Sequence, residues 1–319
     1  MKKLIHIPTK ILHPDPYLTP AIHMSPFSGK MGNENFINNL DNINDIEVLD
    51  RCSQTLFGKK LNGIITTNGR EAISFSLDQI VNKPNFTIGI LTTSGSGYVS
   101  SCVIKEIQKK KCNHIFGENS KVDAYFIIHD FGRYMKIPNK VINSGKPIIE
   151  DCAWALVDNN FFNSFGKVGD YIIYSLSKSF EMQYGGLLFA KNNNTLNIKK
   201  SIKTDFYILN KLNYSISNLK IFNQQRLDNY YKMKSISESY GFEEAYKYYE
   251  GEGVPHSFMV KIDKKNQYNQ QIKSYMNRLG IESSFFYGGG AYFLPCHQNL
   301  SDLEIQYIFY HFNYIINEC

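Results

Sequence analysis

The sequence predicts an α/β fold whose open sheet presents functional side chains at the carboxyl ends of its strands. Three short apolar runs, each with the length of a buried strand, support this prediction. A polar side chain follows two of the runs, and a glycine pair precedes the third. The runs are Ile148-Ile149 ahead of Glu150-Asp151, Tyr171-Ile172-Ile173-Tyr174 ahead of Ser175, and Leu187-Leu188-Phe189-Ala190 after Gly185-Gly186.

The length and composition of the chain indicate its class and exclude some partners. The chain has 319 residues, 43% hydrophobic and 20% charged, which is enough for one large α/β domain and a smaller second one. The net charge of +6 is modest, and charges of both signs are mixed. Because the only lysine run, Lys109–Lys111, is typical of a solvated helix end, we expect no nucleic-acid partner. A mildly basic field suits a phosphorylated small-molecule substrate.

The cysteines and the start of the chain indicate a reducing compartment. The six cysteines show no C-x-x-C spacing, so neither a disulfide framework nor a zinc site is expected. Cys152 stands beside Asp151, which favours a free thiol. Two lysines near the start precede no long apolar run, and no segment is apolar enough to cross a membrane. We expect a cytoplasmic protein with no membrane partner.

The first third of the chain predicts an extended arm and then an anion site. Repeated prolines exclude a helix over residues 1–45. After the arm, a strand at Ile64–Thr67 meets the turn Asn68-Gly69, and a helix continues to Ile80. A helix that begins after a glycine turn offers backbone N–H groups to an anion, although the same pattern is common in ordinary α/β proteins.

Two further units of strand and loop follow. Phe86–Leu91 is predicted to form a strand and Val99–Ile107 a helix, with Tyr98 in the loop between them. Asp123–Ile128 is predicted to form another strand, and His129 follows it directly. A single histidine at a strand end is more often a structural hydrogen-bond partner than a catalytic group, so we expect that role for His129.

The last part of the chain predicts a smaller domain. Residues 215–250 have the pattern of a polar helix, and Glu250–Pro255 that of a hinge. A strand, the amphipathic helix Tyr268–Leu279 and a final helix are expected beyond the hinge. We therefore divide the chain into an arm with a large domain, 1–250, and a small C-terminal domain, 251–319.

The polar residues at the strand ends fit the chemistry of pyridoxal phosphate (PLP). Lys178 can form a Schiff base with the cofactor aldehyde. Asp151 can pair with the pyridinium nitrogen and so keep the ring an electron sink. Ser175, three residues before Lys178, can hold the phosphate. Each residue alone indicates little, because turn, cap and surface residues look the same, but their combined order predicts a PLP site.

The same stretch resembles the DegT/DnrJ/StrS family of PLP-dependent sugar aminotransferases, which have fold type I. The matching residues are Glu150-Asp151, Phe165-Gly166, Gly169-Asp170, Lys178 and Gly185-Gly186. The resemblance covers most of the chain from about residue 60 onward. It implies a mostly parallel seven-stranded sheet sandwiched by helices, with a smaller α+β C-terminal domain.

The resemblance also assigns further cofactor-binding residues. Gly69 and Arg70 match the family's turn that holds the PLP phosphate. Tyr98 matches the aromatic residue that stacks on the pyridine ring, a physically favourable contact. Trp154 is expected beside the cofactor, at a position where the family usually has Gln or His.

One matching segment implies an active site shared between two subunits. Asn213 matches the family's asparagine that reaches the PLP phosphate of the neighbouring subunit, while Ser215 replaces the family's arginine. The resemblance therefore implies a homodimer with shared active sites. Without the resemblance, Asn213 would be interpreted as a residue at the start of a helix.

These expectations define one function and two alternatives. The expected activity is transfer of an amino group from an amino acid such as glutamate to a keto sugar carried on a nucleotide. A PLP lyase or dehydratase is one alternative, although the family's sugar dehydratases replace the lysine with histidine and this chain has Lys178. The other is a non-catalytic relative that binds PLP or a sugar for regulation, because Trp154 and Ser215 depart from the family pattern.

Overall fold

Two sheets organise the part of the chain that the structure describes. The computed structural model describes residues 21–27, 44–119, 121–191, 196, 206–248, 253–263, 266 and 269–318. These residues form a seven-stranded sheet and a three-stranded sheet. Most of the predicted arm, 1–45, lies outside the described residues.

The large sheet contains the three apolar runs that predicted the fold. Its order is β1-β7-β6-β5-β4-β2-β3, so strands that are distant in sequence lie side by side. The strands are β1 (Asn62–Thr66), β2 (Thr87–Thr92), β3 (Asn113–Phe116), β4 (Ala124–Ile128), β5 (Ile148–Asp151), β6 (Tyr171–Ser175) and β7 (Gly186–Ala190).

Strand direction brings the predicted functional residues to one edge of this sheet. β3, β2, β4, β5 and β6 are parallel, so their carboxyl ends meet at the same edge. β7 is antiparallel to both β6 and β1, so its first residue, Gly186, pairs with Ser175 at that edge. The prediction of a mostly parallel seven-stranded sheet is confirmed.

Helices cover both faces of the large sheet. Leu77 and Ile107 pack on one face in a cluster that contains Phe126, while Leu56 and Leu212 belong to a cluster on the other that contains Phe189. Because strands buried on both faces need apolar side chains in both directions, they appear in the sequence as continuous apolar runs. The helices are α1 (Asp45–Phe57), α2 (Gly69–Ile80), α3 (Ser101–Lys109), α4 (Asn139–Ile142), α5 (Leu176–Ser179), α6 (Phe206–Ser217) and α7 (Leu219–Ser239).

The small sheet is antiparallel and lies in the last part of the chain. Its order is β8-β10-β9, formed by β8 (Ser257–Lys261), β9 (Ser284–Phe286) and β10 (Ala291–Pro295). Helices α8 (Gln270–Arg278) and α9 (Asp302–Glu318) accompany it. Its hydrophobic core is continuous with one core of the large sheet, since Phe258 and Tyr174 belong to the same cluster. The domain boundary at residue 250 stays a prediction.

The predicted polar helix over 215–250 differs from the structure. Two helices, α6 and α7, occupy the region, and α7 ends at Ser239. Asn213 therefore lies inside α6, and its interpretation as a helix-start residue is wrong. The earlier start has a physical cause, because Ile208, Leu209 and Leu212 form a buried helical face.

The search for membrane-spanning segments gave a negative result within the described ranges. No helix there combines the length and the apolar character that a bilayer crossing requires.

Candidate active site

Strand β6 and the short helix α5 position Lys178. Ser175 ends β6, and the chain turns at once into α5, whose first residue, Leu176, donates its N–H to the Gly185 carbonyl at 3.0 Å. The Lys178 ammonium nitrogen, Nζ, lies 4.3 Å from the centre of the Trp154 ring. Burial lowers the pKa of Lys178, and Asp151 opposes this shift. The lysine amine is therefore more easily deprotonated than one in water.

Strand β5 delivers Asp151 to the same edge. Its side chain is buried, and Oδ1 accepts a hydrogen bond from the Ala153 N–H at 2.9 Å. Burial raises the pKa of Asp151, whereas the positive charge of Lys178 lowers it. Asp151 is thus a buried carboxyl group that depends on a nearby cation to stay ionised.

The preceding residue, Glu150, fixes the end of β5 from the other face. Its Oε2 accepts from Gly166 N–H at 2.9 Å and lies 3.0 Å from His129 Nε2. Its Oε1 accepts from Val168 N–H at 2.7 Å and also from the Gly169 N–H. His129 is fully buried in this network, as expected of a structural partner.

The same network brings three potential metal ligands together. Ligand atoms of His129, Glu150 and Cys152 lie within 4.8 Å of one another, the one such group found among the described residues. Both Glu150 oxygens already accept hydrogen bonds, and burial raises the pKa of the Cys152 thiol well above its usual value. The arrangement suits a carboxylate held by hydrogen bonds beside a protonated thiol rather than a metal site.

The turn before α2 contains Gly69 and Arg70, which the sequence predicted to form an anion site. Asn68 caps the helix by accepting from Glu71 N–H at 3.0 Å, and Glu71 in turn accepts from the Thr67 N–H and hydroxyl, both at 2.8 Å. A Cβ at Gly69 would lie 3.0 Å from Ser175 Cβ and 3.3 Å from its Oγ. The glycine therefore allows the helix N-terminus to approach β6, and Arg70 extends from the same first turn.

One cavity collects most of the predicted site. It has a volume of about 630 Å³ and includes the N-terminal residues of both α2 and α3. Seven of the eight predicted residues line it: Gly69, Arg70, Tyr98, Asp151, Trp154, Ser175 and Lys178. The eighth, Asn213, lies on α6, where its Oδ1 accepts from Arg51 Nη1 at 2.5 Å. Asn213 does not contribute to the cavity of its own chain.

Aromatic side chains form one wall of the cavity. Tyr98 is 44% exposed, and its ring centre lies 6.3 Å from that of Phe286 and 6.0 Å from that of Tyr287. The ring of Trp154 lies 6.0 Å from that of Phe131 at an interplanar angle of 32°. These rings give the cavity an aromatic boundary, of which Trp154 lies beside Lys178.

Two cavity residues that follow β4 escaped the sequence reasoning. Asp130, directly after β4 and His129, lines the cavity, and its Oδ2 accepts from the N–H and hydroxyl of Ser94 at 3.1 and 2.9 Å. Phe131 follows with a φ of 52°, a backbone conformation that bulky residues rarely adopt. The strand-end rule that identified Asp151 would have found Asp130, because β4 is parallel to β5.

A second, smaller cavity of about 350 Å³ lies on another side of Lys178. It shares Trp154, Ser177, Lys178 and Gln183 with the first cavity. Its remaining lining residues are Met24, Ser25, Phe27, Met182 and Glu282. Lys178 thus borders two cavities, one of which is also bordered by the described segment 21–27.

Comparison with known proteins supports the fold directly. No model of a known protein family matches the sequence, and no curated protein does. Among solved structures, PseC of Helicobacter pylori, an aminotransferase of pseudoaminic acid biosynthesis, aligns with a TM-score of 0.71 and 12% identity, covering 93% of this chain and 100% of that one.

Two further solved structures align with this chain over most of its length. A DegT/DnrJ/EryC1/StrS aminotransferase of Brucella abortus aligns with a TM-score of 0.66 and 14% identity, over 88% of this chain and 95% of that one. NtdA of Bacillus subtilis, solved with bound PMP, aligns with a TM-score of 0.67 and 14% identity, over 89% and 83%. The chain therefore has the fold-type-I architecture of the DegT/DnrJ/EryC1/StrS aminotransferases, as its sequence resemblance predicted.

Proposed function

We propose that this protein is a PLP-dependent aminotransferase. It moves an amino group from an amino acid such as glutamate to a keto sugar carried on a nucleotide. The observation that carries the proposal is the convergence of Lys178 and Asp151 on one cavity whose corner, at Gly69 and Ser175, suits a phosphate. A neighbouring fold, NtdA, holds PMP, the aminated form of this cofactor.

The donor set fits the cofactor at each of its polar groups. The amine of Lys178, the carboxyl group of Asp151 and the anion site at the start of α2 all line the same cavity. PLP, when bound, supplies an aldehyde for the lysine amine and a pyridinium ring that withdraws electrons. Asp151 would accept a hydrogen bond from the protonated ring nitrogen, which also satisfies its buried charge.

Lys178 has the properties of a general base and acid. Burial lowers its pKa, so the amine can be neutral at a pH at which an exposed lysine is charged. Its position between the two cavities lets it exchange a proton with a substrate held on either side. The Trp154 ring, 4.3 Å from Nζ, stabilises the protonated form by a cation–π contact.

Neutral hydrogen-bond donors and one positive charge would hold the phosphate. The backbone N–H groups at Gly69 and Arg70, the Ser175 hydroxyl and the Arg70 guanidinium lie at one corner of the cavity. Helix N-termini bind anions through these N–H groups and the helix dipole. Arg70 adds a charge that the polar turn alone does not supply.

The second cavity supports a hydroxyl-rich acceptor substrate. Ser25, Ser177 and Gln183 offer hydrogen bonds there, and the Glu282 carboxylate accepts from the Met24 N–H at 2.7 Å. Such a lining suits the hydroxyl groups of a sugar. The pseudoaminic acid pathway in which PseC acts is a precedent for the class of product.

One observation favours the alternative of a non-catalytic PLP-binding protein. Trp154 replaces the polar residue usual in the resembled family, and its ring lies over the Lys178 amine. In that case the lysine would join the cofactor without completing transfer. Substrate response, rather than cofactor binding, distinguishes the two functions.

We also propose a homodimer with shared active sites, located in the cytoplasm. Asn213 lies outside its own cavity, which is compatible with a role towards a second subunit. The five described cysteines are free thiols, and four of them are buried, which suits a reducing compartment.

Absorbance spectra test the function. The purified chain with PLP should develop a visible band, and borohydride reduction followed by peptide mapping should locate the cofactor on Lys178. In a separate sample that has not been reduced, glutamate should convert the band to that of the aminated cofactor. Lys178→Ala is the matched control, since it should bind PLP without the covalent label. A label on another lysine would refute the site, and a band indifferent to all amino acids would support the non-catalytic alternative.

A further inference from the structure

We propose that Asp130 contacts the cofactor as a neutral carboxylic acid and donates a hydrogen bond to its phenolic oxygen. This inference rests on the proposed function, and it assigns a role to a residue that the sequence reasoning did not include.

The order of the strands places Asp130 on the required side. β6, β5 and β4 are neighbours in that order, and their ends deliver Ser175, Asp151 and Asp130 respectively. In PLP, the phosphate arm and the phenolic oxygen lie on opposite sides of the carbon that carries the aldehyde. With the phosphate at the β6 side and the ring nitrogen at Asp151, the phenolic oxygen faces the β4 side, where Asp130 is.

The local hydrogen bonds hold the carboxyl group in one orientation. Both hydrogen bonds described for this carboxyl group, from the Ser94 N–H and hydroxyl, reach Oδ2. Oδ1 therefore stays available on a residue that lines the cavity. Because an ionised carboxylate would repel a phenolate, a productive contact there requires a proton on Oδ1.

Burial favours that proton. Burial raises the pKa of Asp130 most, the hydrogen bonds from Ser94 lower it, the nearby Asp151 raises it, and His129 lowers it. The charged and titratable groups around Asp130 are Asp151, His129, Lys178 and Arg133. A bound phenolate would add a second negative charge beside the carboxyl group and strengthen the preference for the neutral acid.

If Asp130 makes this contact, it should change the pKa of the nitrogen that would join the cofactor to Lys178. A donor at the phenolic oxygen withdraws electron density and makes that nitrogen less basic, whereas an ionised carboxylate nearby would make it more basic. The visible absorption band of the bound cofactor reports this protonation, so a pH titration between about 5 and 10 measures it. The two protonation states of Asp130 thus predict shifts of opposite sign.

Two substitutions decide between these states. Asp130→Ala removes the donor. The pH midpoint of the absorbance titration should then rise by about one to two units, the effect of one hydrogen bond to a charged acceptor. Asp130→Asn keeps an acceptor for Ser94 and a donor for the cofactor, so its midpoint should stay within about half a unit of wild type. Asp158→Asn, a buried aspartate outside the cavity, is the matched control and should not move it.

Each other outcome overturns the inference. A lower midpoint in both Asp130 variants means an ionised carboxylate, and an unchanged midpoint in Asp130→Ala means no contact. A wild-type band that does not titrate in this range also contradicts a donor. If the alanine variant fails to fold, as judged by circular dichroism of the cofactor-free protein, Asp130→Leu replaces it, because leucine also removes the donor but fills the side-chain volume. A wild-type chain that forms no visible band with PLP would instead refute the proposed function.

Discussion

Asp151 is the residue on which the proposed electron sink depends. Asp151→Asn removes the charge partner of the ring nitrogen, a bond of about 1.5–3 kcal/mol, so kcat/KM should fall roughly ten- to a hundredfold. Stability should change little, because burial already disfavours the ionised form and Asn can still accept from the Ala153 N–H. Steady-state kinetics and thermal melting measure the two effects separately.

A second buried aspartate provides the control for this prediction. Asp158 is buried outside the cavity and accepts from the Asn160 N–H at 2.8 Å. Asp158→Asn should leave kcat/KM near that of wild type. If Asp151→Asn transaminates as well as this control, Asp151 is not the partner of the ring nitrogen.

Glu150 should carry a pH-dependent part of the stability. Burial alone would raise its pKa, but hydrogen bonds from His129 and the Gly169 N–H outweigh burial, and the pKa is lowered in the folded protein. A depressed carboxyl pKa contributes stability that is complete above the unfolded value of about 4.3 and is lost as the pH falls through the folded value.

Glu150→Gln tests this contribution. At pH 7 the variant should lose about 3 kcal/mol of unfolding free energy, since its amide group would face backbone N–H donors. Below about pH 4 the difference from wild type should narrow, because wild type then loses the same charge. Urea unfolding at a series of pH values measures this, and a difference independent of pH would contradict the assignment.

The sequence predicted the residues of this site unevenly, for a physical reason. Asp151, Ser175 and Lys178 follow uninterrupted apolar runs, so their position at strand ends was visible. Asp130 was missed because the first polar residue after the strand is His129, which the structure buries against Glu150. The left-handed φ of Phe131 depends on contacts from distant segments, such as the His256 N–H that donates to its carbonyl at 2.9 Å, and no local pattern encodes it.

The start of α2 is the structural element that should separate stability from cofactor binding. Asn68→Ala removes the cap and should lower the unfolding free energy by about 1 kcal/mol. Asn68→Asp keeps a capping oxygen but adds a negative charge beside Gly69 and Ser175, where the phosphate is proposed to bind. This variant should therefore melt near the wild-type temperature and yet bind PLP more weakly, as measured by equilibrium titration. Equal PLP affinity in wild type and Asn68→Asp would place the phosphate elsewhere.

The sequence predicted the fully buried strands of the large sheet but missed an edge strand. β4 and β6 are buried throughout and appear as unbroken apolar runs. β3 (Asn113–Phe116) is an edge strand with partly exposed residues, and the sequence analysis did not identify it. Edge strands need fewer apolar side chains, so their sequences resemble loops.

The proposed contribution of Asn213 to a second subunit is tested on the whole dimer. If its side chain serves the phosphate of a second subunit, a hybrid dimer of Lys178→Ala and Asn213→Ala chains has one site with both defects and one with neither. An equal mixture should then recover about a quarter of the wild-type activity under random pairing. Co-refolding followed by activity assays measures the recovery.

A mixture of Lys178→Ala and Asp151→Asn chains is the matched control. Both residues line the cavity of their own chain, so no hybrid site is intact and no recovery is expected. Recovery in neither mixture would indicate that Asn213 serves its own subunit, for example through its bond to Arg51. A protein that transaminates normally as a monomer would exclude sharing altogether.

The pairing of β1 with β7 has a consequence for synthesis on the ribosome. Within the described sheet, β1 is an edge strand that bonds to β7 alone, and a bridge between Asn68 and Gly185 joins the two segments again next to the turn at Gly69, which lies against Ser175. Most of the large sheet is translated between these two strands. A nascent chain arrested before Gly186 leaves the ribosomal tunnel should therefore lack the complete proposed phosphate site at Gly69 and Ser175. The cofactor would then be acquired only late in translation or after release.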